Sequence, residues 1–270
     1  MLKDITIGQY IAGSSAVHKL EPRVKIILTL VYIIFIFTIN SAAGYIACGI
    51  LTAAVILTAK IPLKMMLKGM KPLMWIFIFT ATINIFMTPG TELWAREWGF
   101  FKLAVTVEGI RAAVMLMLRL MFLVMGSSIL TLTTSPLQLT DGIEKLMRPL
   151  DRFGIPSHEI AMMMTIAIRF IPTLGEETEK IMKAQKARGA DLDTGGVIKR
   201  AKAMVPVLVP LFISAFRRAD ELATAMDSRC YNGAKRTRMK ETKVQRSDIY
   251  ASVIFALGIA AIFTAGMIFG

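Results

Sequence analysis

Between Ile26 and Ala59 the chain carries 34 consecutive residues without a charge. One helical bilayer crossing takes about 20 apolar residues, with a lower limit near 17, so this run supplies two short crossings if the chain turns at Asn40 and Ser41. Pro72 to Thr91 is a further uncharged run, closed by the turn signal Thr88-Pro89-Gly90. Another extends from Ala112 to Thr134 and is interrupted by Arg119, and the last runs uncharged from Ile249 to Gly270. These stretches predict five membrane spans, at 26–41, 43–59, 72–88, 112–134 and 249–270. The composition agrees: 55% of residues are apolar, 19% are charged, and the mean hydropathy is +0.59, too apolar for a soluble domain of this length. Lys3, Asp4, Lys19, Glu21, Arg23 and Lys25 precede the first apolar run, unlike the start of a cleaved signal peptide, so that run is expected to remain in the mature protein.

The net charge is +13. In a chain this apolar, such an excess reads as topology bias or attraction to anionic lipid rather than as a nucleic-acid footprint. The segment between the second and third spans carries Lys60, Lys64, Lys68 and Lys71 with no acid, which places it in the cytoplasm by the positive-inside rule. Residues 88–111 instead balance Arg96, Lys102 and Arg111 against Glu92, Glu97 and Glu108, as an outer loop can. The N-terminus is then inside, and 135–248 forms a cytoplasmic insertion before the final span of a multi-pass cell-membrane protein. That insertion holds 20 Lys and Arg and 14 Asp and Glu, two thirds of all the charge. Its closing run, Lys235, Arg236, Arg238, Lys240, Lys243 and Arg246, sets topology or touches anionic lipid.

The insertion predicts three helices. In 136–153, Leu137, Leu139, Ile143, Leu146, Met147 and Leu150 form an apolar stripe opposite Asp141, Glu144, Lys145, Arg148 and Arg152. Gly154-Ile155-Pro156 ends it, and Ser157 with Glu159 starts the next, 157–189. This second helix is apolar from Ile160 to Ile168 and charged from Glu176 to Arg188, with Pro172 expected to kink it. After a break at Gly189 to Gly196 the third, 197–230, is basic at Lys199, Arg200 and Lys202. It is apolar from Met204 to Phe216 around Pro206 and Pro210, then charged to Arg229. Each long helix would measure about 45 Å at 1.5 Å per residue. Their ends repeat at an offset of 41: Glu179 aligns with Asp220, Ile181 with Leu222, Ala184 with Ala225, Ala187 with Ser228 and Arg188 with Arg229.

The segments Lys186-Ala187-Arg188-Gly189 and Asp227-Ser228-Arg229-Cys230 resemble the paired Ala-Arg-Gly motifs of the transmembrane (T) component of energy-coupling factor transporters, a branch of the ABC importers. The likeness takes in His18-Lys19-Leu20-Glu21-Pro22-Arg23 and Arg169-Phe170-Ile171-Pro172 and covers most of the chain. Ser228 and Cys230 stand where the family more often has Ala and Gly. The resemblance implies an all-α integral membrane protein with a cytoplasmic coupling domain of long crossed helices. It also implies a non-catalytic subunit joining two cytoplasmic ABC ATPase subunits to one substrate-binding S subunit for ATP-driven uptake of a vitamin or other micronutrient. Ala187, Arg188, Gly189, Ser228, Arg229 and Cys230 would dock the ATPases. No cofactor is implied for this chain, since ATP would be bound by the partners.

The residues suit that role, because a guanidinium presents five donors in a rigid fork matched to carboxylates or carbonyls. The plainer role is that each arginine merely offsets a helix C-terminal dipole, worth about 0.3–1 kcal/mol. No Gly-x-x-x-x-Gly-Lys-Ser/Thr phosphate loop occurs. His18 and His158 lack ligand company at metal-binding spacing, Cys48 and Cys230 suggest neither a disulfide nor a metal, and the methionine-rich stretches suit adaptable packing. Arg119 would be costly against lipid, so it is expected to face other protein or to snorkel, with pairing or a substrate role both open. The rival readings are a self-contained permease, in which 160–174 and 203–216 also cross the membrane, and a membrane-embedded enzyme.

Overall fold

The computed structural model describes residues 10–98, 101–192, 194, 196–231 and 244–269. The fold is all-α and membrane-type, with one small hairpin. Helices α1 (Ala16–Lys19), α2 (Pro22–Thr38), α3 (Ala42–Ala59), α4 (Leu63–Met70), α5 (Met74–Met87) and α6 (Val107–Thr133) come first. They are followed by α7 (Pro136–Met147), α8 (Ser157–Ala187), α9 (Val197–Asp227) and α10 (Arg246–Phe269). Strands β1 (Glu92–Trp98) and β2 (Phe101–Thr106) pair antiparallel between α5 and α6, Trp98 opposite Phe101 and Glu97 opposite Lys102. The balanced charges of 88–111 thus sit largely on an ordered ribbon where a plain loop was expected.

Among the described residues, four helical runs are long and apolar enough to cross a bilayer: Ala42–Ala59, Leu63–Met87, Val107–Thr133 and Arg246–Thr264. The second joins α4 to α5 through a 3-10 turn at Lys71–Leu73, because Pro72 has no N–H to continue the α ladder. Helix α2, the remaining expected span, has 17 residues, at the short limit for a crossing. Helices α8 and α9 are absent from the four. On α5, Trp75 is 80% exposed and Phe79 66%, and water is a poor solvent for such a surface. Hydrocarbon is a good one, since a helix satisfies its own backbone there.

Two compact units divide the described residues: 10–142 with 244–269, and 143–231. In the first, Tyr32, Ile36, Ile39, Tyr45, Cys48, Phe122 and Ile262 form the core. The Tyr32 hydroxyl lies 2.7 Å from Thr52 Oγ1. Gly126 makes room for its ring, since a Cβ there would stand 2.4 Å from Tyr32 Cε1. Met115 and Met125 pack on this cluster, the filling role that unbranched, polarisable side chains suit.

A buried polar knot ties the ends of four helices, α1, α2, α6 and α10. Lys25 Nζ donates to the carbonyls of Thr133 (2.9 Å) and His18 (3.1 Å). Asp248, in the first turn of α10, accepts from Glu21 N (2.9 Å) and Gln245 N (2.6 Å). The Glu21 carboxylate, almost wholly buried, pairs with Arg23 at 2.9 Å. Arg119 belongs to a second such arrangement. Its guanidinium donates to Ile39 O (2.9 Å), Asn40 Oδ1 (3.1 Å) and Tyr45 Oη (3.1 Å), so it fastens the turn between α2 and α3 through protein partners.

Helix α7 leads into a 3-10 helix, Arg148–Phe153, so the stripe expected to form one α-helix over 136–153 tightens after Met147, where Pro149 interrupts the α ladder. Ser157 opens α8 but does not cap it. The Asp151 carboxylate accepts from Ser157 N at 3.2 Å, supplying the anion that a helix N-terminus favours.

Candidate functional site

Helices α8 and α9 each contain 31 residues, about 46 Å at the α-helical rise. Pro172, Pro206 and Pro210 lie inside them without ending either helix. Each proline leaves the carbonyl four residues earlier without its helical donor. For Pro210 that carbonyl belongs to Pro206, and Gln185 Nε2 of the facing helix donates to it at 3.3 Å.

Three side-chain bonds join the two helices. Besides Gln185, the Glu177 carboxylate accepts from Ser214 Oγ (2.5 Å) and from Arg218 Nη2 (2.9 Å). Low numbers on α8 meet high numbers on α9, so the helices are antiparallel at their contact. Their C-terminal ends, carrying Arg188 and Arg229, therefore lie on opposite sides of it.

Those ends are built alike. Ala190 N donates to Gln185 O and Gly189 N to Lys186 O, both at 3.0 Å. At the positions 41 later, Tyr231 N donates to Met226 O (3.0 Å) and Cys230 N to Asp227 O (2.9 Å). Each pair is a Schellman closure, in which one residue must enter the left-handed region. Gly189 does so at φ 87° and Cys230 at φ 54°. Cys230 thus reproduces the glycine's backbone, although a side chain there is strained. In each closure the arginine is the residue just before that turn.

Both arginines are exposed, and among the described residues neither guanidinium has a side-chain hydrogen bond or ion pair. Backbone N–H groups already take the carbonyls of Ala184, Gln185 and Lys186 at one end and of Thr224, Met226 and Asp227 at the other. That leaves ten guanidinium donors, five per arginine, facing outward. Ala187, Gly189 and Ser228 beside them are small and exposed, which leaves the tips slender.

The remaining candidates lie elsewhere. His158 Nδ1 is 3.2 Å from Glu144 Oε1, and His18 bridges Ser15 Oγ (2.6 Å) and Ile11 O (3.1 Å). Cys48 is buried and Cys230 exposed, and the two are not joined in a disulfide. Among the described residues no group of three or more His, Cys, Asp or Glu could hold a metal ion. Lys235, Arg236, Arg238, Lys240 and Lys243 lie outside the described residues, and Arg246 begins α10.

Fold and tips together define a class: a helical multi-pass membrane protein bearing a pair of long, mostly polar-ended helices with duplicated cationic termini. The family model described as cobalt transport protein (CbiQ) matches residues 13–241. Several relatives carry the name energy-coupling factor transporter transmembrane protein EcfT. That of Ruminiclostridium cellulolyticum is 53% identical over 269 residues, 99% of this chain and 97% of the relative. That of Clostridium kluyveri is 56% identical over 254 residues, 94% and 93% of the two chains, and that of Bacillus subtilis is 43% identical over 261, 97% of each. The chain belongs to this family of transmembrane components of energy-coupling factor transporters.

Proposed function

We propose that the chain is the coupling (T) subunit of an energy-coupling factor importer, joining two cytoplasmic ABC ATPase subunits to one substrate-binding membrane subunit for uptake of a vitamin or other micronutrient. It catalyses nothing itself, and ATP is bound and hydrolysed by the partners. In this reading residues 135–248 face the cytoplasm of a cell-membrane protein. Arg188 with Ala187 and Gly189 enters a groove on one ATPase, and Arg229 with Ser228 and Cys230 enters a groove on the other.

The observation that carries the reading is the duplicated tip: two helix ends 41 residues apart, closed by the same backbone bonds, each presenting an exposed guanidinium. Opposite placement of the ends suits two partner subunits. When ATP draws the ATPases together, stiff helices gripped at their tips must move relative to one another. The apolar halves of α8 and α9 would pass that motion on. Phe212 and Phe216 of α9 are 60% and 68% exposed, a surface suited to lipid or to a membrane partner. A permease crossing the bilayer through α8 and α9 is disfavoured, because neither is among the four helices apolar enough to span.

The test is charge reversal at both tips. The R188E/R229E variant, coexpressed with the ATPase subunits, is expected to reach the membrane at normal level without copurifying them. Undiminished copurification would refute the docking role.

A further inference from the structure

Glu177 and Arg218 touch through their side chains, and their numbers differ by 41, the spacing that relates the two helix ends. When two repeats are related by an approximate two-fold axis, equivalent positions meet only on that axis. The pair therefore marks the centre of the crossing. Counting outward, 188 less 177 and 229 less 218 both give 11, so each arginine stands about 16 Å of helix from the centre at 1.5 Å per residue.

The chemistry at that centre is directional. One carboxylate on α8 receives a hydroxyl from Ser214 and a guanidinium N–H from Arg218, donors one turn apart on α9. Two donors fixed along α9 hold the acceptor against sliding in either direction, while leaving rotation about the contact comparatively free. Apolar packing has no such preference, being non-directional. The site is half-sheltered, with side-chain exposures of 23% for Glu177 and 38% for Arg218. Solvent screens it less than a fully exposed pair, and the charge-assisted bond is correspondingly stronger.

From this geometry we infer that Glu177, Arg218 and Ser214 form the register pin of the two-helix lever: a pivot that keeps both arms equal while the crossing angle changes. Glu177 and Arg218 are positioning residues that act through the tips. The inference rests on the docking reading for its role in transport, but the pin itself is a property of the chain alone.

The experiment places nitroxide labels, carried on non-natural residues, at positions 183 and 224 of the full-length chain in lipid nanodiscs. Lys183 and Thr224 are exposed equivalents, 41 apart, outside the docking tips. Pulsed dipolar spectroscopy is expected to give one narrow distance for the parent. R218E should broaden or shift it, and the charge-swapped E177R/R218E should restore it. In the whole transporter, R218E should lower ATP-driven uptake at least about fivefold, the lower end of the range spanned by coupling between sites. The swap should recover uptake, and ATPase copurification should be unchanged in both. E177Q, a milder change, carries the same expectation of broadening if R218E does not fold. An unaltered distance in R218E or E177Q, or a swap that remains as broad as R218E, would overturn the pin. The distance is read without ATPases. Failure of the docking reading, seen as undiminished copurification with R188E/R229E, is thereby told apart from failure of the pin.

Discussion

Replacing Cys230 by glycine should tighten the end of α9, and replacing Gly189 by alanine should loosen the end of α8. Cys230 holds φ 54°, where a side chain costs about 1–2 kcal/mol relative to the right-handed region. Glycine removes that cost but regains about 0.4–1 kcal/mol of freedom in the opened chain. The net gain is therefore about 0.5–1 kcal/mol, which at 1.4 kcal/mol per tenfold is about two- to fivefold in the local opening equilibrium. At Gly189 (φ 87°) an added Cβ would meet nothing within 4 Å, so the penalty there is conformational, of the same size and opposite sign. Hydrogen exchange read by mass spectrometry on peptides covering 181–191 and 222–231 measures both. C230G should slow exchange in the second peptide about two- to fivefold, and G189A should speed it in the first by a similar factor. If C230G speeds exchange, or if G189A slows it, the assignment of the two turns as equivalent left-handed closures is wrong.

Other substitutions probe the membrane unit. Lys25→Met leaves the carbonyls of His18 and Thr133 without their buried donor, costing about 1–3 kcal/mol for each acceptor that water cannot reach. A lowered melting temperature in detergent, followed by fluorescence-detected size exclusion, checks this. Arg119→Lys should behave nearly as badly as Arg119→Met in the same assay, because an ammonium cannot reproduce a fork that reaches Ile39 O, Asn40 and Tyr45 together. Gly126→Ala puts a methyl into the Tyr32 ring and should destabilise by about 1–3 kcal/mol through overpacking. Tyr32→Leu in the same chain should recover part of that loss.

What was legible in the sequence follows from how local each signal is. The uncharged runs gave helices because a bilayer-length apolar segment has few other ways to satisfy its backbone, and Ser41 opens α3 by accepting from Gly44 N. The 41-residue offset is a one-dimensional pattern, and it points to both arginines; the matching turn at Cys230 is not legible in it, because Cys is not a residue that favours the left-handed region. The strands at 92–98 and 101–106 are less legible: Gly99 between runs rich in Trp, Phe and Val is a hairpin signal, but the balanced charges of the same segment suit an outer loop equally well. The partners of Lys25, Asp248 and Arg119 were out of reach. Glu21 meets Asp248 across 227 residues and Arg119 meets Ile39 across 80, and no periodicity encodes such pairings. The meeting of Glu177 with Arg218 lay within the repeat, but an aligned pair is known to touch only once the helices are seen to be antiparallel.

The central claim is that two cationic helix ends each hold a different ATPase subunit. Photo-crosslinking residues placed singly at positions 188 and 229, in the assembled transporter, address it most directly. Each position should capture an ATPase subunit, and a doubly substituted chain should capture two at once. Capture of lipid or of the substrate-binding subunit at either position, with no ATPase adduct, would contradict it.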